Sequence, residues 1–395
     1  MTSFGPIRHL ARGVVVFGVM AALASCGSRT GLFGPELLDE IPDATFDVDA
    51  RDGGVDVRVD SPVDAAIDVI EEPVGCVPGK FTFSLATAQL MFVLDRSGSM
   101  KFVLTSDDLA LPGQTSRWRA LESSLSQTIS PFTNQIAMGA RFYPSANANG
   151  NDLARACIQD PPSVAIAPAL GNASKILDVF TRSIPEGGTP TATALALAAQ
   201  EVSSSRGVAR AMVVATDGAP NCNAALDRLT CTCTSADARG CLTSSDGSNC
   251  LDDVKTVQTI KGIYDDRNIP VFVIGIGVTG SFASTLDAMA VAGGRPRAGS
   301  PRYYAADTPA ELTAAFTVVR DSVARCSYIT PSSPQDPDAI SVEIGGMTIP
   351  RDPNHVDGWD WIDQTYGHLQ LFGSACTQAT STNVSGTVTC EPPDQ

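Results

Sequence analysis

Five consecutive apolar residues, Leu90 to Leu94, stop abruptly at Asp95. A run that is apolar at every position has no solvent face, so it suits the centre of a parallel sheet covered on both sides. Comparable runs occur at Ala211 to Ala215 and Val271 to Ile274, and Ile136 to Phe142 is one broken only by Arg141. Between them the apolar period lengthens to that of a helix: Trp118, Leu121, Leu125 and Ile129 behind a Ser116 cap, then Ile176, Val179 and Phe180. Thr191 to Ser203, Asp253 to Arg267, Thr285 to Ala292 and Pro309 to Ala324 also read as helices, the last with a proline near its first turn where no hydrogen bond is lost. A short edge strand is expected at Val164 to Ala167 and a last one from Tyr303. Such alternation predicts an α/β fold with a mainly parallel sheet.

The connections between the apolar runs carry polar, specific motifs. Asp95-Arg96-Ser97-Gly98-Ser99 comes directly after the first run, Gly187-Gly188-Thr189-Pro190 precedes a helix, and Thr216-Asp217-Gly218 comes after the Ala211 run. The set resembles the von Willebrand factor A (vWA) family with its metal-ion-dependent adhesion site, over about residues 80 to 325. The resemblance implies a doubly wound, Rossmann-like sheet flanked by helices. It implies that Ser97 and Ser99 bind a cation directly, Thr189 directly or through water, and Asp95 and Asp217 largely through water. Hydroxyl and carboxylate oxygens are hard donors, which suit Mg²⁺, with Mn²⁺ or Ca²⁺ as alternatives. It further implies a protein ligand whose carboxylate completes the metal shell. Independently of the family, ligands of an open α/β sheet sit beyond the carboxyl ends of the strands where strand order reverses.

Other function classes find little support. There is no G-x-S-x-G elbow, no phosphate-binding glycine loop and no base that pairs by sequence with Ser97, so an enzyme is not expected. The formal net charge is −16 and no Lys/Arg cluster lies beyond the extreme N-terminus, which excludes nucleic acid as the expected partner. The alternative to a binding protein is a structural or assembly protein of the cell envelope in which the metal only stabilises the fold. Oligomeric state is not legible.

The N-terminal region bears on location. Arg8 and Arg12 precede the apolar run Val14 to Leu23, too short to span a bilayer and suited to a secretory signal over residues 1–25. Leu23-Ala24-Ser25-Cys26 resembles the lipobox of bacterial lipoproteins, implying that Cys26 is lipidated and anchors the chain in the envelope. Gly27 after the cysteine implies the outer membrane, by similarity to enterobacterial sorting. Residues 26–75 are rich in Asp and poor in aromatics and read as a solvated, disordered tether. Their Asp47-x-Asp49-x-x-Asp52 pattern lacks an oxygen donor at Arg51, so no calcium loop is expected.

Ten cysteines remain, an even set that suits disulfides in an exported protein: Cys76, Cys157, Cys222, Cys231, Cys233, Cys241, Cys250, Cys326, Cys376 and Cys390. About residues 221–250 form an insertion without regular period; its four cysteines, Cys231 to Cys250, are expected to pair among themselves, since Cys231-Thr-Cys233 is too tight for a zinc pair. By resemblance to vWA folds, whose first strand enters and last helix leaves on one side, Cys76 is expected to pair with Cys326, and Cys157 with Cys222 near the metal rim. This bounds the vWA domain at 76–326. Residues 327–395 read as a small β appendage with a Gly345-Gly346 hairpin, closed by Cys376 and Cys390. His355 and His368, near Asp352 and Asp357, are expected on its surface or in turns.

Overall fold

The structure is a computed structural model that describes residues 73–150, 152–159, 165–235, 240–243, 246–278, 282–379 and 381–390. The expected signal, the Cys26 lipobox and the tether up to residue 72 lie outside the described residues, as does Val164. Among the described residues no helix is long and apolar enough to cross a membrane.

The chain opens with two short strands, β1 (Gly79–Thr82) and β2 (Ser84–Leu85), before β3 (Thr87–Asp95), and continues with β4 (Ile136–Tyr143), β5 (Ala165–Ala169), β6 (Val208–Thr216), β7 (Val271–Ile276) and β8 (Tyr304–Ala306). β3 to β8 form one six-stranded sheet in the order β5-β4-β3-β6-β7-β8. All its pairs are parallel except β4 with the edge strand β5. Strand order therefore reverses between β3 and β6.

Helices connect these strands: α1 (Arg117–Ile129), α2 (Leu153–Ala156), α3 (Ala173–Arg182), α4 (Thr191–Glu201), α5 (Gly240–Thr243), α6 (Asp253–Arg267), α7 (Ala283–Ala292) and α8 (Pro309–Ala324). Side chains of a strand alternate between faces, and here both faces are covered. Leu90, Phe92 and Leu94 pack with Trp118 and Leu121 of α1, Phe180 of α3 and Phe316 of α8. Met91 and Val93 pack on the other side with Leu195 of α4, Ile260 of α6 and Met289 of α7. The uninterrupted apolar run is thus two half-strands of core, one for each face. Ser116 caps α1 by accepting from the Arg119 N–H at 3.3 Å, and Thr308 and Glu311 make a reciprocal capping box at the start of α8.

The remaining strands are β9 (Ser327–Ile329), β10 (Ile340–Ile344), β11 (Met347–Ile349), β12 (Gly358–Asp363), β13 (His368–Phe372) and β14 (Val384–Val388), with α9 (Gly373–Ala379) after β13. They form two antiparallel sheets, β1-β14-β10-β11 and β12-β13-β9-β2, around a shared core that includes Phe83, Val342, Trp359, Leu369 and Val388. The Gly345-Gly346 hairpin is present: Ile344 pairs with Met347, and both glycines take positive φ, 58° and 84°.

Three expectations fail here, for one physical reason. The strands before Thr87 are too short and irregular to announce themselves, yet they belong to the C-terminal sheets. Gly79 pairs with Val388 in β14, and Ser84 pairs with Ile329 in β9. That register places Cys76 beside Cys390, so these two form a disulfide, and Cys326 pairs with Cys376 of α9. The expected Cys76–Cys326 and Cys376–Cys390 bridges are not formed. Nor does the domain begin at Cys76: its sheet starts at Thr87, and the β appendage draws on both sides of it. Cys157–Cys222, Cys231–Cys250 and Cys233–Cys241 do form. His368 is buried, 4% exposed, and only His355 takes the turn position expected of both, with φ of 58°.

Candidate metal centre

Asp95 is the last residue of β3 and Thr216 the last of β6, so the loops after both strands leave the sheet where strand order reverses. Asp95 is fully buried and fastens its own loop: its Oδ1 accepts the Ser97 N–H at 2.7 Å and its Oδ2 accepts the Thr216 hydroxyl at 2.5 Å. The Ser97 and Ser99 hydroxyl oxygens stand 3.0 Å apart, and Ser99 donates to Asp217 Oδ1 at 2.8 Å. Asp95, Ser97, Ser99 and Asp217 are therefore one connected oxygen cluster.

Thr189 arrives through its backbone. The Gly98 N–H donates to Gly187 O at 3.0 Å and the Glu186 N–H to Arg96 O at 2.8 Å, which straps the threonine loop to the Asp95–Ser99 loop. Asn221 holds Thr189 from the other side: its Oδ1 accepts the Thr189 N–H at 2.7 Å, and its own N–H donates to Thr189 O at 2.9 Å. Among the described residues no hydrogen bond joins the Thr189 hydroxyl to the other four side chains. The Cys157–Cys222 disulfide presses on this loop, since a Cβ on Gly188 would stand 2.7 Å from Cys222 Sγ.

Two contributors, Arg117 and Asn221, were invisible in the sequence pattern, and a third, Thr216, was visible only as part of its motif. Arg117, 2% exposed in its side chain, donates from Nη1 to Asp217 Oδ2 at 2.9 Å and from Nη2 to Asp107 Oδ1 at 2.8 Å. Its burial alone reveals it, because an arginine directly behind a helix cap reads as solvent-facing. Asn221 and Thr216 likewise act through tertiary contacts that no spacing encodes.

The donor set fits a small divalent cation. Octahedral Mg²⁺ with bonds of about 2.0 to 2.1 Å requires adjacent ligand oxygens about 2.9 Å apart. The hydroxyls of Ser97 and Ser99, the two expected to bind directly, stand 3.0 Å apart, a hydrogen-bond length that is also compatible with that edge, and Asp217 Oδ1 lies behind Ser99 at 2.8 Å, where a carboxylate acting through water would be. Charge points the same way. Burial lifts the Asp95 carboxyl from the usual range to about 7, and the Asp217 carboxylate adds to the rise. Asp217 is also raised by burial, against the pull of Arg117. Burial works against the Arg117 charge too, but Asp217 and Asp107 together more than offset it and hold that guanidinium above its ordinary value. His355 and His368 lie in the C-terminal sheets, away from this cluster. The sulfurs of Cys231, Cys241 and Cys250 lie within 4.8 Å of one another, but all three are consumed by disulfides.

No family model and no curated protein matches the chain. Solved structures similar to it include the pilus adhesin SpaC from Lactobacillus rhamnosus GG, at 15% identity and a TM-score of 0.42 over 79% of this chain and 42% of that one. The PilB minor pilin from Streptococcus sanguinis is 17% identical, with a TM-score of 0.40 over 60% of this chain and 61% of that one. The vWF domain of the type V pili tip protein Mfa5 from Porphyromonas gingivalis is 12% identical, with a TM-score of 0.37 over 60% of this chain and 94% of its own. The chain thus spans less than two thirds of the first two, and likenesses this distant assign no role to any of its residues.

Proposed function

We propose that β3 to β8 with their helices form a doubly wound vWA-type domain, and that it captures a protein ligand through a divalent cation, Mg²⁺ first, held by Asp95, Ser97, Ser99, Thr189 and Asp217. The observation that carries this reading is the oxygen cluster at the point of strand-order reversal, with oxygen separations of 2.8 and 3.0 Å. A cation bound there supplies an electron-poor coordination position that a carboxylate of the ligand fills. Ser97 and Ser99 contribute neutral hydroxyls, which leave the positive charge largely uncancelled. Asp95 fixes the loop that carries them, and Arg117 takes Asp217 Oδ2 so that only Oδ1 faces Ser99. The role is binding and not catalysis. Lipidation at Cys26 would hold the domain at the envelope, at the outer membrane by the Gly27 rule, on the acidic tether.

The test is capture of a partner from envelope extract with Mg²⁺, with EDTA, and by the Ser99→Ala and Asp217→Ala variants. Capture that needs both Mg²⁺ and the intact residues supports the reading. Capture that survives EDTA and both substitutions transfers the role to the alternative, a structural or assembly protein whose metal only stabilises the fold. The Arg117–Asp217 ion pair weighs against that alternative in one respect, because it secures the Asp217 loop by protein contacts alone and leaves a metal little fold to stabilise.

A further inference from the structure

At the amino ends of β6 and β7, where the C-terminal sheets meet the parallel sheet, lies a cavity of about 30 Å³. Its lining mixes neutral polar residues, such as Asn268 and Gln370, with basic ones: Arg210 near the start of β6, Arg295 after α7, His355 in the turn before β12 and His368 in β13, and no Asp or Glu lines it. Arg295 donates to Gly294 O at 3.0 Å and to Gln370 Oε1 at 2.8 Å, both neutral, and its guanidinium lies 5.2 Å from the Phe372 ring centroid and 6.0 Å from that of Phe272. Arg210 donates to Ser203 O at 2.7 Å. Among the described residues neither arginine makes an ion pair. Asp363 is the nearby acid, and Arg206 already holds it at 2.6 Å. His355 is likewise committed, to Asp360 at 2.9 Å. The second observation is His368: it is 4% exposed, lines the cavity, and its Nε2 is buried without a hydrogen-bond partner.

An orphaned buried ring nitrogen is costly, and part-buried arginine charges gain from a counter-charge placed beside them. Arginines held by carbonyls alone occur elsewhere in the chain, Arg96 among them, but here two of them share a cavity with an orphaned ring nitrogen and no carboxylate. One or two waters fill the volume and satisfy His368, but they leave the arginine charges unbalanced. We infer that this cavity is a binding site for one small monovalent anion of the chloride class, held between Arg210, Arg295 and His368 Nε2, which fastens the C-terminal sheets to the parallel sheet. His368 contributes as the neutral tautomer with the proton on Nε2. Burial first, and then Arg210, holds its pKa down to about 4, against the opposing pull of Asp363.

The probe is bromide, on the intact mature chain. Crystals grown with sodium bromide should show an anomalous peak in the cavity, within hydrogen-bond reach of Arg295 and His368. In solution, the melting temperature of the wild type should be roughly 3 °C higher in chloride or bromide than in sodium gluconate at equal ionic strength, for an anion about tenfold above its dissociation constant. Arg210→Gln, at a part-buried position that tolerates a polar side chain, should abolish that difference while remaining folded. A cavity that holds only water in bromide-grown crystals, with the same melting temperature in bromide and gluconate, would overturn the inference. A bromide effect of equal size in Arg210→Gln would overturn it as well.

Discussion

Gly188 shows how little room the threonine loop has. A methyl group there would stand 2.7 Å from Cys222 Sγ and 3.0 Å from Asn221 Oδ1, and a sulfur locked in a disulfide cannot swing aside. Gly188→Ala should therefore displace Thr189 and weaken Mg²⁺ binding about 10-fold with an unchanged circular dichroism spectrum. Gly262→Ala, on the exposed helix α6 with 3.6 Å to its nearest atom, should leave affinity alone. His368 makes a second prediction at this scale. Its folded pKa of about 4 lies below the ordinary 6.5, so as pH falls the unfolded chain takes the proton first. The contribution to stability is complete above pH 6.5 and is lost as pH falls towards 4, by roughly 3 kcal/mol. Asp95, raised to about 7, acts in the opposite sense over the same window, so the test is the difference between the two proteins: denaturant titrations in gluconate buffer should show wild type losing roughly 3 kcal/mol relative to His368→Gln between pH 6.5 and 4. Of the residues involved, Asp95, Ser97, Ser99 and Asp217 were legible because strand ends and loop motifs are local. Arg117 and Asn221 were not, because their partners lie 100 and 32 residues away in sequence. Nor was His368, whose surroundings include Arg210 from a different sheet.

Among the elements, long apolar runs and helical periods placed β3, β4, β6, β7, α1, α6 and α8 within a few residues, since each buries a full face or stripe. Four-residue β1 and two-residue β2 carry no such pattern, and their partners lie some 300 and 240 residues further on. Missing them misassigned two disulfides. A non-reducing peptide map should join Cys76 to Cys390 and Cys326 to Cys376. The first bridge closes a separation of 314 residues, so Cys76→Ser should cost up to about 6 kcal/mol in the chain-entropy limit, measured as a fall in the denaturation midpoint.

Among the described residues, one mainly parallel sheet carries the oxygen cluster at its carboxyl end and two antiparallel sheets at its amino end. β3 has nine residues, so the two ends stand about 30 Å apart. The C-terminal sheets therefore lie away from the oxygen cluster, and they complete the pairing that β1 and β2 begin. A chain truncated after Cys326 should lose them as partners, strand Cys76 and Cys326 as free thiols, and elute from a sizing column as aggregate, whereas residues 73–390 should elute as a single species.

The central claim is that Ser97, Ser99, Thr189, Asp95 and Asp217 hold a cation, and calorimetric titration of Mg²⁺ into the wild type and Ser99→Ala tests it most directly. A single site is expected in the wild type and affinity at least 10-fold weaker in the variant, with both proteins equally folded. A wild type that takes up no divalent cation, or a variant that binds as tightly as the wild type, would contradict it.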